Sequence, residues 1–500
     1  MERTQKLKLN TYSSLLSKIC IMLSGLILPR LILSQYGSQV NGLVNSITQF
    51  LSVITFLDLG VGSVVQAALY KPLAEQNKVQ INKIITFAKK YFKNIALILV
   101  FYILLLMIVY PRIIDNNNLD NIGTILLIIA ISINQFGQYY FGIVNELLLN
   151  ANQNAYIQLN TEIVVIILNL IASIVLILNG AEIYTVKFIS GLIFLIRPLY
   201  LSYYVNKNFS IEYYKNLKED PLPQKWNGVG QHIAYSIQNS TDIVVLTLFS
   251  TLESISVYGV YNMIVSAIKL IIQSFTIGLQ SFFGSLLAEE KYGMLNESFF
   301  KIEWGIHNLA VFLYSMCAIL ITDFVLIYTT GVYDVNYNVP DFALLLLLGG
   351  LVYSIRMPYQ AIVFAAGHFR ETQISSIIEA ALNIFLSIVL VNYLGLVGVA
   401  IGSFVAMLYR TVYLSNYLSK NILNRKRIFF WKQVLVDVFS IALIIIPGIY
   451  VVNIYQIKNF SEWIIAGGIF SIYSLIVLII INALFYNSLL RNIFIPLIKK

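Results

Sequence analysis

Residues 197–208 read RPLYLSYYVNKN, and residues 410–421 read RTVYLSNYLSKN. Arg, Tyr-Leu-Ser, Tyr and Lys-Asn keep their order and spacing across an offset of 213 residues. The echo belongs to a series at nearly constant offset. Val40-Asn41-Gly42 with Asn45 returns as Val257-Tyr258-Gly259 with Asn262. Leu73-Ala74-Glu75 with Asn94 returns as Leu287-Ala288-Glu289 with Asn308, and Leu168-Asn169 with Ser173 returns as Leu382-Asn383 with Ser387. Matches among Leu, Ile and Val arise easily by chance, but a shared order of polar anchors over six apolar segments does not. The chain is read as a duplication.

The 500 residues are 58% hydrophobic and 11% charged, with a mean hydropathy of +0.78. That places the chain among membrane proteins. A spanning helix needs about 20 mostly apolar residues, and this criterion predicts fourteen spans, near 11–34, 40–68, 93–111, 121–149, 155–178, 183–205, 229–250, 255–287, 304–329, 340–366, 371–392, 396–418, 432–453 and 462–486. The expected fold is an all-α polytopic membrane protein: two parallel six-helix bundles around a central cavity, plus two further C-terminal helices. Six is an even number, so both copies share one topology and are related by an axis along the membrane normal. The expected division is 1–205 for the first bundle, 206–228 for a cytoplasmic linker, 229–420 for the second bundle and 421–500 for spans 13 and 14. The first apolar segment is too long for a signal-peptide core and is read as a retained span.

Counting Lys and Arg in alternating connections orients the chain. With the N-terminus inside, the inner segments hold 24 and the outer ones only Arg30, Arg112, Lys187 and Lys458. Both termini are therefore expected in the cytoplasm, and the net charge of +9 is an inner-face excess facing anionic lipid, with no nucleic-acid partner implied. Arg197 and Arg410, at the inner ends of spans 6 and 12, are expected to snorkel among interfacial tyrosines. Cys20, Cys317, His232, His307 and His368 are scattered, so neither metal ligation nor a disulfide framework is expected, and no cofactor is implied.

Span 8 carries Asn262, Ser266, Lys269, Gln273, Thr276 and Gln280 at alternating spacings of four and three. On a regular helix these stay within about 40° of one line. The repeat puts Asn45, Gln49 and Ser52 of span 2 at matching places. Gln135, Tyr139, Gly142 and Glu146 of span 4 map onto Gly349, Tyr353, Arg356 and Gln360 of span 10. A basic residue near mid-bilayer costs on the order of 3 kcal/mol and normally faces a wet cavity or a partner. Two readings stand: a cationic cavity for an anionic headgroup, with Arg356 as a bidentate fork and Lys269 as a point charge, or an ion pair such as Arg356 with Glu146. Lys18 and Arg30 of span 1 are further cationic candidates for that cavity. Asp58, Glu146, Glu162, Asp242 and Glu379 are candidates for coupling to an ion, and Asp58, just before Gly60, is as well placed for local capping. Asn169 and Asn383 are read as helix-to-helix hydrogen bonders.

Leu28-Pro29-Arg30 at the end of span 1, Phe56-Leu57-Asp58-Leu59-Gly60 in span 2, Asp242 ahead of Val257-Tyr258-Gly259-Val260-Tyr261, and Ala365-Ala366-Gly367 before Leu382-Asn383 resemble the Wzx-type polysaccharide flippases of the multidrug/oligosaccharidyl-lipid/polysaccharide (MOP) superfamily. The resemblance covers nearly the whole chain through short motifs. It implies movement of undecaprenyl-diphosphate-linked oligosaccharide repeat units from the inner to the outer leaflet of a bacterial cell membrane by alternating access, for capsule, O-antigen or similar glycan. A polymerase and other glycan-assembly membrane proteins are then the implied partners. A drug/cation antiporter of the same superfamily usually has a carboxylate in span 1, where this chain offers Lys18 and Arg30. A glycan polymerase or ligase would be expected to carry a large outer loop, and no predicted outer loop exceeds roughly a dozen residues. No G-x-x-x-x-G-K-[ST] loop for ATP occurs. A non-transporting scaffold for glycan-assembly enzymes is the remaining alternative.

Overall fold

A computed structural model describes residues 3–58, 60–114, 119–214, 229–276, 278–487 and 489. The chain runs through α1 (Arg3–Ser52), a 3-10 turn (Val53–Asp58), α2 (Val61–Ala74), α3 (Lys78–Ile113), α4 (Asn121–Gly137), a π-helical segment (Gln138–Gly142), α5 (Ile143–Ala151), α6 (Ala155–Leu178) and α7 (Ile183–Asn208). It continues through α8 (Val229–Phe249), α9 (Leu252–Thr276), α10 (Leu279–Ala288), α11 (Tyr292–Tyr328), α12 (Pro340–Ala365), α13 (Phe369–Leu394), α14 (Leu396–Asn421), α15 (Ile428–Tyr455) and α16 (Phe460–Phe485). Among the described residues, twelve helical stretches are long and apolar enough to cross a membrane. The first, Lys8–Asp58, is turned into two at Gly37, where φ is 79° and ψ 179°. Helix α8 adds a shorter apolar stretch, Ser240–Phe249. The all-α polytopic class is as the hydropathy predicts.

Several local details differ from the regular helices expected. No outer loop separates spans 1 and 2: Arg30 lies inside α1, and the chain turns at Gly37 alone. Span 2 breaks at the 3-10 turn and Gly60 (φ 75°), and span 8 breaks at Gly278 (φ 87°). Positive φ is open to glycine at little cost, so both copies place a glycine where one helix stops and a short one starts. Gln280 therefore sits on α10, off the straight line that Asn262 to Thr276 follow. In span 4 the π-helical segment inserts a residue and turns the following face by about 100°. Gln135 and Glu146 thus do not share one stripe.

The chain forms two compact units, Met1–Ser256 and Val257–Lys500. The second sequence repeat starts at 229, yet α8 and the first turn of α9 belong to the first unit. They dock on α1 through polar pairs: Asn41 Nδ2 donates to Ser256 Oγ at 2.8 Å, Gln39 Nε2 to Glu253 Oε1 at 2.5 Å, and Ser46 Oγ lies 2.7 Å from Thr247 Oγ1. Gly42 permits this approach, because a Cβ there would sit 1.8 Å from the Leu252 carbonyl oxygen. Most of the expected 206–228 linker lies outside the described residues.

In the second unit, α15 and α16 pack against α11 through Val311, Ile319, Leu320, Ile444, Val452, Phe470 and Leu478. Trp463 Nε1 donates to the Leu320 carbonyl at 3.0 Å, and Trp304 Nε1 to Asn482 Oδ1 at 2.6 Å. The opposite face of α16 exposes Ile464, Ile465, Ile469, Ile472 and Ile476, the side chains a helix presents to lipid.

Candidate functional site

In the second unit a charged cluster spans three helices. Arg356 of α12 donates through Nη1 to Glu379 Oε1 of α13. Arg410 of α14 donates to Ser375 Oγ and to the Thr372 carbonyl, and its Nε lies 3.8 Å from Glu379 Oε2. All three charged side chains are buried, with Arg356 and Arg410 each 3% exposed. Tyr353 stands one turn before Arg356. Its ring centroid lies 4.8 Å from the Arg356 guanidinium carbon and 5.3 Å from Lys269 Nζ of α9. Two guanidiniums thus share one carboxylate, and Lys269 joins them through the electron-rich ring face.

Two expectations are corrected here. Arg356 is paired with Glu379 of α13, while Glu146 is paired with Arg197 of α7 in the first unit. Arg410 does not snorkel: its head is buried and bonded to α13, while Tyr409, Tyr413 and Tyr417 stack in a ladder along the same helix.

The first unit has a related cluster with the charges differently apportioned. Arg197 of α7 reaches Glu146 of α5 at 3.2 Å and Glu162 of α6 at 3.6 Å, so it too is an ion-pair member and not a snorkelling anchor. Ser17 Oγ donates to Glu162 at 2.8 Å and Gln138 Nε2 to Glu146 at 2.7 Å. A cavity of about 430 Å³ opens beside them between α1, α6 and α7, with Ser24, Pro29, Glu162, Asn169, Lys187 and Arg197 in its lining. Here two carboxylates share one guanidinium. The helices correspond by repeat (α5 with α12, α6 with α13, α7 with α14), and of the charged members Arg197 and Arg410 match by position, whereas Arg356 falls at the place of Gly142 and Glu146 at that of Gln360.

Other sequence candidates are spread more widely. Asp58 accepts from Gly62 N at 3.2 Å and so caps α2. Asp242 is buried on α8, and Tyr139 is buried with its ring stacked on Phe92. Gln49 Nε2 donates to Ser52 Oγ within α1 at 2.9 Å. Asn45, Gln135, Asn262, Ser266 and Gln360 are half-buried, and Gln273 is exposed. Lys18 and Arg30 are half-buried on α1 and are not in the lining of the cavity. Asn383 Nδ2 donates to Ser403 Oγ at 2.8 Å, tying α13 to α14, and Asn169 Oδ1 accepts from Ser173.

A third network escaped the sequence reading. Arg425, in the connection between α14 and α15, grips both oxygens of Glu303 on α11 at 2.6 and 2.5 Å. Tyr359 of α12 donates to the same carboxylate. His307 lies 3.3 Å from the Tyr359 hydroxyl through Nε2 and 2.5 Å from Asp437 Oδ2 of α15 through Nδ1. Burial works against the Arg425 charge, but the bonds from Glu303 outweigh it and raise the guanidinium pKa. The available signal was two polar pairs at helical i,i+4 spacing, Glu303 with His307 and Gln433 with Asp437, each next to a long apolar run.

An all-α membrane fold of two such units is shared with solved transporters. The lipid II flippase MurJ, in an inward closed conformation, superposes with a TM-score of 0.70 at 16% identity, over 97% of this chain and all of that one. A mutant of the Vibrio cholerae MATE transporter VcmN gives 0.60 at 13% identity, over 85% of this chain and 98% of that one. The MATE multidrug transporter DinF-BH, solved as a complex, gives 0.59 at 14%, over 85% and 96%. Neither a family model nor a curated protein sequence matches the chain. What these proteins and this chain share is the fold.

Proposed function

We propose that this protein is a flippase for an anionic lipid-linked oligosaccharide, of the undecaprenyl-diphosphate type, carrying it from the inner to the outer leaflet by alternating access in a bacterial cell membrane. The observation that carries this reading is the charged cluster where Arg356 and Arg410 share the single carboxylate of Glu379, with Lys269 and Arg356 both over the Tyr353 ring. Guanidinium and ammonium groups in a low-dielectric site suit phosphate oxygens. A solved flippase for a lipid-linked substrate has the same fold over nearly the whole chain, which supports the choice. Transport of a lipid-diphosphate-linked sugar by the full-length protein in proteoliposomes tests it. Lys269→Ala and Arg356→Ala should each lower the rate at least tenfold, a loss of about 1.4 kcal/mol of substrate stabilisation, with normal membrane insertion. Normal rates in both variants would remove the basis for the headgroup role.

A second reading draws on the first unit, whose Glu146 and Glu162 share Arg197 and lie beside a cavity. Within that triad carboxylates outnumber the guanidinium two to one, so Glu146 and Glu162 fit the coupling ion of the flippase or, in the alternative, the cationic cargo of a drug/cation antiporter, with Lys187 the further charge in the cavity wall. Glu162→Gln should abolish ion dependence while leaving substrate choice intact if the site serves coupling. Uptake of a cationic drug by the wild-type protein in the same proteoliposomes would instead mark the antiporter.

A further inference from the structure

The repeat carries one polar triad twice. In the second unit Asn383 and Ser387 of α13 and Ser403 of α14 are buried where the two helices meet, and Asn383 Nδ2 donates to Ser403 Oγ at 2.8 Å. Gly398 and Gly402 let α14 come this close: a Cβ on Gly402 would stand 2.5 Å from Ser387 Oγ, and one on Gly398 would meet the Leu390 backbone. In the first unit the matching residues are Asn169 and Ser173 on α6 and Ser190 on α7, while Thr185 and Ile189 replace the two glycines. With a side chain at both places α7 cannot approach α6 as closely. Asn169, Ser173 and Ser190 accordingly line the cavity of about 430 Å³. The third wall, α1, is tied to the α6–α7 hairpin at both ends of that space. Asn10 Oδ1 accepts from Tyr156 N at 2.8 Å at the start of α6, and the Tyr36 hydroxyl donates to the Ala181 carbonyl at 2.5 Å in the turn before α7.

The first unit also adds a charge there. Lys187 of α7 lines the cavity, where the second unit has Ala400. The other charged residues of the lining, Glu162 and Arg197, pair with each other at 3.6 Å, and Glu162 accepts from Ser17 at 2.8 Å. No carboxylate or aromatic ring of the described residues pairs with Lys187, so it is the unmatched charge of the wall. An ammonium within a membrane helix is costly unless water or an anion meets it. Ser190, one turn along α7, and Ser173 and Asn169 across on α6 add hydroxyl and amide donors. Beyond them the wall turns apolar at Ile21, Ile166 and Phe194. We infer that this cavity binds an amphiphilic anion, with its carboxylate or phosphate at Lys187 and its apolar tail toward Phe194. Lys187 and Phe194 are seven residues apart on α7, about 10 Å along the helix, which is the length of an octyl chain. The inference does not rest on the flippase reading: the cavity shares no side chain with the Arg356 cluster, and ion coupling through Glu162 would use its far end.

Thermal unfolding of the full-length protein in phosphatidylcholine nanodiscs reads the binding. Octanoate and octyl phosphate should raise the wild-type midpoint saturably, and octanol should not. Lys187→Met removes an unmatched charge, so without ligand it should unfold no lower than the wild type, and it should lose the response to both anions. Nanodiscs containing phosphatidylglycerol separate the sources. A midpoint raised by that lipid in the wild type but not in Lys187→Met assigns the site to a membrane lipid headgroup, whereas a response to the octyl anions alone assigns it to a free amphiphile. No saturable response to any of them would overturn the proposal, as would an equal response in Lys187→Met. If that variant does not accumulate, octanoate carrying a diazirine in its tail decides the matter with the wild type. Cross-links should fall around Ile21, Ile166 and Phe194 and be displaced by octyl phosphate but not by octanol, and cross-links spread over the lipid-facing helices instead would rule the site out.

Discussion

Arg356 on α12 and Arg410 on α14 reach opposite oxygens of one carboxylate, Glu379 on α13. The carboxylate is the common element, so the three substitutions are unequal. Glu379→Gln leaves two buried guanidiniums without a counter-charge and should destabilise the protein by about 3–5 kcal/mol. Arg356→Ala leaves Glu379 with Arg410 and should cost clearly less. Thermal unfolding of purified protein ranks them, and an equal loss in both variants would mean that Arg410 does not neutralise Glu379.

Gly42 meets backbone, and a backbone does not step aside. Gly42→Ala should cost about 1–3 kcal/mol by overpacking against Leu252. Gly25→Ala, where nothing lies within 4 Å, serves as the control and should be near neutral. Denaturation midpoints of the two variants should separate accordingly.

Arg425 holds Glu303 from a short connection between two helices. Arg425→Ala should lower stability by about 3–5 kcal/mol, since an ionised and buried Glu303 remains. Arg425→Lys should recover part of that loss by charge without the two-pronged geometry. The raised guanidinium pKa means that the wild-type contact persists through alkaline pH, so the Arg425→Ala deficit should not shrink between neutral and alkaline buffer. A deficit that vanished at alkaline pH would assign the grip to another group.

Orientation can be read with single cysteines on a background lacking Cys20 and Cys317. Lys458→Cys, exposed between α15 and α16, should react with an impermeant thiol reagent added to intact cells, and Lys426→Cys should react only after lysis. The reverse labelling pattern would invert the topology.

Helices were legible because twenty apolar residues in a row admit few other structures; the duplication rests on the recurrence of its polar anchors in the sequence. What the sequence hid was rotation about each helix axis and the identity of each neighbour. Glu146 and Glu379 are both acidic residues in apolar helices, and only packing tells which lies beside Arg356. The π-helical segment at Gln138–Gly142 leaves no compositional mark, so the stripe through Gln135 and Glu146 was drawn on a straight helix that is not there. Arg197 and Arg410 misled for a related reason: a basic residue near a span end suits an interface, and nothing nearby in the chain shows that α5, α6 and α13 supply partners. His307 was passed over because its partner Asp437 is 130 residues away.

The docking of α8 and the start of α9 on α1 also sets a schedule for biosynthesis. Asn41 enters the membrane early, but its partner Ser256 lies 215 residues further along the chain. At roughly 5–20 residues per second of translation, the amide of Asn41 waits for roughly ten to forty seconds before its hydrogen-bond partner is made. During that interval α1 presents a polar face without its helix, so the nascent first half needs water, lipid headgroups or an insertase to cover it. A gene cut at the repeat boundary near residue 228 would leave that face open permanently, whereas a cut after Ser256 would release a half that can close on itself.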